Sequence, residues 1–506
     1  MTTLFAACDV KRTLEMWASG LFGEAFRQAA LAGAAPADQR AIIPEVADAL
    51  VMGRPLVEEP ALAEYVAFQK GLLVWRDSIR LESAPSHSLF RRWRERQIRR
   101  SMMEIGESQN SRITHIPAGF ELSKGCSVNC WFCSMNAGPL KKVFRYTPKN
   151  AALWRDVLQA LRNVIGPAAA WSSSYWATEP LDNPDYEAFC LDFHCLNGKY
   201  PQTTTSVPLR NVERTRRLLV NSFQRGCLIN RFSVHTAEAF RGILAAFTPE
   251  ELAFTELLLE NPESANPFAR VGRLFGVDRI DPELAASEDD KLRSLLKNAA
   301  QPDAAARLDR AVVNSSYLNE NAVCANEGQS EITVNIPSST SCMTGFLVNM
   351  PERTVELISP CAADADWPKG YLIFDQGIFT DAHSFESLLE RMIADNMKER
   401  ITPGDRVALT RRANFSLTED GFALSTVFGR VGYERKGIAP FLAHLGTLLK
   451  TGDSRAGEIA IECFYLFGMN EALTMGFIND LFDKGLLDQK TVAAGNSGKM
   501  QLAERQ

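Results

Sequence analysis

No run of apolar residues in the chain approaches the ~18 that a membrane-spanning helix requires; stretches such as Gly345 to Met350 are of strand length. A membrane partner is therefore not expected. Positive charge is not in excess either. The 55 Lys plus Arg against 61 Asp plus Glu leave a formal net charge of -6, so the overall field disfavours nucleic acid as a partner. There is no internal repeat and no low-complexity tract, which excludes solenoids and long disordered linkers. The first residues, MTTLFAACDVKRTLEMW, lack the basic start and long apolar core of a secretory signal, so the expected location is cytoplasmic. In that compartment the 11 cysteines read as reduced thiols, some of them ligands or catalysts, rather than as a disulfide framework.

What is present is a chain of 506 residues with 46% apolar and 23% charged residues, ordinary for a soluble globular protein of about two to four domains. Residues 9 to 33 and Pro60 to Leu81 carry helical spacing, which predicts a helical N-terminal region over 1–112. Segment 91 to 100, RRWRERQIRR, contains six arginines and is read as a solvated helix face, with an anion-binding patch as the alternative. From Ile113 short apolar or β-branched runs alternate with helix-like stretches: GFELSKGC, AAAWSSSYWATEP, YPQTTTSVPL and LINRFSVH. This rhythm predicts an α/β fold with a parallel sheet over 113–385.

Residues 248 to 310 show helix starts and charges but no clear strand, and are read as a helical insertion. Strands resume at EITVNIPS, TGFLVNM, TVELISP and GYLIFD, either completing the sheet or capping it. Over 400–488, strands around Asp420-Gly421 precede three helices, which predicts a small winged-helix-like domain; 489–506 is read as a flexible tail.

The strongest chemical signal is GCSVNCWFC, in which Cys126, Cys130 and Cys133 are spaced C-x3-C-x2-C directly after a predicted strand. Such spacing wraps one ion or cluster. A cubane held by three thiolates keeps one iron free for an outside ligand. Structural zinc would need a fourth ligand, and the nearest candidates, Cys190, His194 and Cys195, are some sixty residues on.

With Phe132 just before the last cysteine, this run resembles the signature of the radical S-adenosylmethionine (SAM) superfamily. The resemblance implies a partial (β/α)6-type barrel, a [4Fe-4S] cluster on Cys126, Cys130 and Cys133, and SAM chelated to the open iron as the source of a 5′-deoxyadenosyl radical. An external electron donor is then a required partner. The run ATEPLDNPDY resembles the family's GGEP segment, which binds SAM's methionyl amino group. Ala177 and Thr178 replace the glycines there, while Glu179 and Pro180 match. Thr204 and Ser206 in QTTTSVP, and Ser233 and His235 in RFSVH, stand at C-terminal strand ends where ligands of parallel sheets collect, and are further candidate cofactor contacts. Their bland alternatives are strand-forming threonines and a satisfied core histidine.

FELSKGCSVNCWFC, TGFLVNMPERTVELISPC and WPKGYLIFD together look like the peptide epimerases that act on ribosomally made precursor peptides. That resemblance implies conversion of L- to D-residues. The deoxyadenosyl radical removes an α-hydrogen, and a separate thiol returns one from the other face. Cys361 matches the family's SPC segment and is the first candidate, with Cys342 the runner-up. Cys8, Cys190, Cys195, Cys227, Cys324 and Cys463 are read as small buried hydrophobes.

The tail resembles the winged-helix domains that bind a precursor's leader as an added strand. Between Ile401 and Asp488 stand 9 Lys plus Arg against 11 Asp plus Glu, which disfavours DNA binding there. Other radical SAM peptide chemistry (C-methylation, thioether cross-linking or oxidation) and an iron-sulfur DNA sensor remain the alternatives.

Overall fold

The computed structural model describes residues 2–20, 46, 60–264, 268–277, 281–299, 339 and 341–492. The expected strand EITVNIPS, Cys324 and the later parts of the first helical stretch lie outside these. The N-terminal region supplies helices α1 (Thr2–Ala18), α2 (Pro60–Glu82), α3 (Ser88–Ile105) and α4 (Glu107–Arg112). The middle contains β1 (Ile116–Glu121), β2 (Ser123–Lys124), β3 (Lys142–Val143), α5 (Pro148–Ile165), α6 (Tyr186–Asn197), β4 (Thr204–Thr205), α7 (Val212–Gln224), β5 (Asn230–Val234), α8 (Ala237–Ala246), β6 (Thr255–Leu259) and α9 (Pro282–Ala299). It continues with β7 (Met343–Asn349), β8 (Thr354–Pro360), β9 (Tyr371–Ile378) and α10 (Ala382–Asn396). The tail is β10 (Asn414–Thr418), β11 (Gly421–Thr426), β12 (Gly429–Glu434), α11 (Ala439–Thr451), α12 (Ala456–Phe467) and α13 (Glu471–Asp483). Among the described residues no helix is long and apolar enough to cross a membrane.

The fold is mixed α/β, and the described strands form several sheets without a closed barrel. β4, β5 and β6 are parallel, with Arg231 opposite Glu256. β1 pairs in parallel with β7, and β7–β8–β9 continue as an antiparallel meander, so the late strands extend the sheet on one side of β1. On its other side β1 meets Ser173 in a single parallel bridge. The region expected to be a strandless insertion contains β6, because TELLL alternates: Thr255, Leu257 and Leu259 are buried while Glu256 and Leu258 are only half-buried.

Helix α5 illustrates how sequence becomes packing. Thr147 caps it, accepting from the Asn150 amide, and Pro148 occupies its first turn. Ala151, Trp154, Val157, Leu158 and Leu161 then recur at helical spacing and are buried against the sheet, with the Trp154 ring 4.8 Å from Phe120. Burying each large side chain there contributes roughly 2–3 kcal/mol.

The tail has its own core around Phe422, Leu424, Leu445, Ile459 and Leu481. Its three antiparallel strands and three helices follow the expected order. The arginine-rich helix α3 departs from expectation. Arg94, Arg96 and Arg100 are buried, not solvated. Arg94 donates to the carbonyl of His115 (2.9 Å), Arg96 donates to that of Lys398 (2.5 Å) and lies over the Phe482 ring (4.2 Å), and Arg100 donates to that of Pro360 (2.6 Å). They satisfy carbonyls between the sheet and the tail, and Arg91, Arg92 and Arg99 remain exposed.

A candidate cluster loop above a polar cleft

The cysteine run leaves the C-terminal end of β1 and returns at β3 as a loop with a pinched neck. The Cys126 amide donates to the carbonyl of Gly138 (2.9 Å). Gly125 sits at φ 81°, and a Cβ there would stand 2.0 Å from the Pro139 oxygen, so this crossing admits only glycine. Inside the loop the Val128 amide donates to the Cys126 sulfur and the Ala137 amide to the Cys133 sulfur, each at 3.4 Å. Burial raises the Cys126 thiol pKa, and amides of Val128, Glu179 and Asn129 oppose the rise. Burial, then the neighbouring Cys133 and Cys126, push the Cys130 thiol to about 12. Amides aimed at sulfur stabilise thiolates, and crowded thiolates need positive charge among them, so the donor set fits a cationic iron-sulfur centre. Among the described residues no group of three or more His, Cys, Asp or Glu is gathered tightly enough for a single metal ion. A cluster taking one thiolate per iron requires a wider triangle than a lone ion does.

Arg273, which the sequence reading passed over, fastens the loop from outside. Its guanidinium donates to the carbonyls of Cys130 (2.7 Å) and Ala137 (2.8 Å), and its amide donates to that of Cys133 (3.0 Å). Gly272 beside it has φ 60°, and a Cβ there would be 2.1 Å from the Ser134 oxygen. On the opposite side Asp182 accepts from the Ser127 amide (2.8 Å) and hydroxyl (2.5 Å), and Arg210 bridges the same two residues.

The ATEP segment lies against the loop. Ala177 adopts φ 54°, the left-handed region that favours glycine, at the position where the resembled motif carries one. Glu179 is 3% exposed, and its carboxylate accepts from the Thr205 hydroxyl (2.6 Å) and the amides of Ser206 (2.8 Å) and Leu181 (3.0 Å). It therefore ties the segment to the end of β4, and Ser206 contributes its backbone. Pro180 opens the short 3-10 turn that follows. Thr178 is half-buried.

His235 follows β5, with Nε2 3.7 Å from the Cys130 sulfur and 3.8 Å from Glu260. Phe132 packs edge-on against His235 at 5.0 Å and lies 4.8 Å from Phe268. Strand alternation puts Arg231, Ser233 and His235 on one face of β5, and Glu256, Leu258 and Glu260 on the matching face of β6. Ser233 hydrogen-bonds Glu260, whose second oxygen is buried without a partner. Lower down, Arg231 pairs with Glu256 at 2.7 Å, and Tyr175 donates to Thr204 at 2.5 Å. The polar alternation in NRFSVH and TELLLE was the available signal for Arg231, Glu256 and Glu260.

The two hydrogen-donor candidates have different settings. Cys342 has open space at its side chain, yet burial still raises its thiol pKa, and the nearby Arg231 opposes the rise. Tyr175 also feels its charge. Cys361 is fully buried and belongs to the main apolar core. It follows Pro360, beyond the level at which Ile358 meets Gly345, and so lies toward the start of β1. The cysteine loop leaves from the other end, six residues of strand or ~20 Å away at ~3.3 Å per residue. Cys342, whose carbonyl accepts from the Ile116 amide (3.1 Å), stands at the same end as Cys361, so the structure brings neither cysteine to the loop. Of the remaining thiols, Cys8, Cys190, Cys227 and Cys463 are buried as expected, whereas Cys195 is exposed.

No family model matches the chain, and no solved structure matches it. A protein of Sinorhizobium fredii (strain NBRC 101917 / NGR234), described as "Uncharacterized protein y4wI", is 31% identical over 424 residues, which cover 83% of this chain and 73% of that relative. The chain therefore belongs to the same family as y4wI.

Proposed function

We propose that the protein is a radical SAM enzyme that converts L- to D-residues in a ribosomally made precursor peptide. The observation that carries the reading is the pinched loop of Cys126, Cys130 and Cys133, whose Cys130 and Phe132 lie against His235 beside the polar face of β5 and β6. A [4Fe-4S] cluster on these thiols, when bound with SAM, would supply the 5′-deoxyadenosyl radical. The backbone around Ala177 and Thr178, the loop end at Ser206, Ser233, His235 and the orphaned oxygen of Glu260 are the groups available to hold SAM. Glu179 and Arg273 act by positioning.

A peptide bound beside the loop would lose its α-hydrogen to that radical, giving 5′-deoxyadenosine, and its planar α-carbon would take hydrogen from a thiol on the other face. Exposure, not position along the sheet, favours Cys342 for this step: its side chain is open while Cys361 is sealed in the core, and both stand at the end of the sheet where β1 starts. The resulting thiyl needs one electron and one proton from an external donor. The winged-helix-like tail would hold the leader, as an added strand against the exposed sheet edges β10 or β12.

The test uses anaerobically reconstituted protein, SAM, reductant and precursor peptide in deuterated water. Each inverted α-carbon is expected to carry one deuterium, and Cys342→Ala is expected to keep 5′-deoxyadenosine formation while losing inversion. A peptide that gains a methyl group or loses hydrogens without inversion would reject the reading.

A further inference from the structure

Between α3 and α13 lies an open groove of about 730 Å³ that is separate from the cysteine loop. One wall is cationic: Arg92, Arg96 and Arg99 recur on one face of α3, and Arg400 joins them from the connection to the tail. The facing wall is small and apolar. Ala472, Met475 and Gly476 line it from α13, and nothing lies within 4 Å of where a Cβ on Gly476 would stand, so a ligand backbone can approach closely.

Arg96 is 2% exposed, and its Nε–H is buried without an acceptor. A buried donor left unpaired is costly, and a shift of the guanidinium toward an oxyanion in the groove would relieve that cost. Among the described residues Arg92 pairs with Glu399, at 2.5 Å, and the two side chains are 53% and 60% exposed. Such a pair is weak and easily displaced.

We propose that this groove binds a carboxylate-rich peptide segment, with acidic side chains on Arg96, Arg92 and Arg400 and aliphatic ones against Met475. The four guanidiniums share the groove with the carboxylates of Glu95, Glu399 and Asp483, a balance of one positive charge. That suits singly charged carboxylates better than phosphate, which is also too small to fill the volume. The identity of this peptide with the substrate of the cysteine loop rests on the function proposed above; the groove does not.

Calorimetric titration of the full-length protein at low salt with acetyl-Glu-Leu-Glu-Glu-Leu-Glu-amide tests the assignment. The Gln-for-Glu peptide is expected to bind at least ~10-fold more weakly, as is the Glu peptide to the double variant Arg92→Gln/Arg400→Gln, whose exposed positions leave the thermal transition unchanged. The inference is overturned if the Glu peptide gives no binding, if both peptides bind alike, if the double variant binds as wild type does, or if an equal concentration of inorganic phosphate displaces the peptide. Protein that binds the Glu peptide but never cleaves SAM would sink the proposed enzyme and leave the groove. A double variant that inverts its precursor with unchanged KM would separate the groove from the substrate.

Discussion

Cys130 and Cys361 are both thiols that burial keeps protonated, yet one stands in an open loop among two other thiols and the other in a sealed corner. Around Cys361 the chain is clamped by charge. Glu104 binds Arg100 at 2.5 Å and Arg412 at 2.6 Å, and Arg412 also reaches Asp364 at 2.6 Å. Around Cys130 the fastenings run to backbone carbonyls, and backbone amides donate to the sulfurs of Cys126 and Cys133. A raised thiol pKa is thus common to both settings. What separates a ligand from a packing residue is access and company.

The largest effect expected from this contrast lies in the loop. Cys126→Ala, Cys130→Ala and Cys133→Ala should each lose the brown chromophore after reconstitution and bring 5′-deoxyadenosine formation to background. Retention of both by any one of them breaks the comparison. Next comes the sealed corner. Glu104→Ala leaves Arg100 buried without its carboxylate and Arg412 with Asp364 alone, which should cost about 3–5 kcal/mol in chemical denaturation. A loss under 1 kcal/mol would mean that the clamp is solvated.

Glu121 tests the loop end of β1, where a half-buried carboxylate faces the Asn349 amide rather than a guanidinium. Burial raises it from 4.5 to about 7; Asn349, Lys369 and Lys124 oppose the rise, while Glu356 adds to it. The folded chain therefore keeps a proton that the unfolded chain releases. Stability should fall as pH rises from 4.5 to 7 and stay lower above that. Glu121→Gln should lack this fall and gain up to about 3 kcal/mol over wild type at pH 8, read from urea unfolding at pH 5 and pH 8. The smallest effect is expected at Cys361→Ala, with about 1–2 kcal/mol of stability lost and inversion retained. Lost inversion with intact SAM cleavage would return the hydrogen-donor role to Cys361.

The sequence announced the loop because three cysteines in eight residues have few uses, and it announced the tail because strand and helix patterns there are long and regular. It did not announce Arg273, which lies 140 residues beyond Cys133 and reaches the loop only through the fold. The arginines of α3 were misread because helical periodicity reports charge, not which carbonyls of distant strands lie opposite. β6 was missed because Glu256 and Glu260 interrupt its apolar run, although they face the cleft interior rather than solvent. Cys361 outranked Cys342 on motif likeness alone, since accessibility is a tertiary property that neighbouring letters do not encode.

Helix α3 has one further implication. Its guanidiniums complete the sheet at Pro360 and the tail at Lys398 and Phe482. A graft of residues 400–488 onto another enzyme would leave Arg96 without the Phe482 ring on the donor and the Asp483 carbonyl without Arg99 on the recipient. The transferable unit is therefore discontinuous, the tail plus a helix some three hundred residues upstream, and a truncation at the apparent linker would cut through shared masonry instead of a seam.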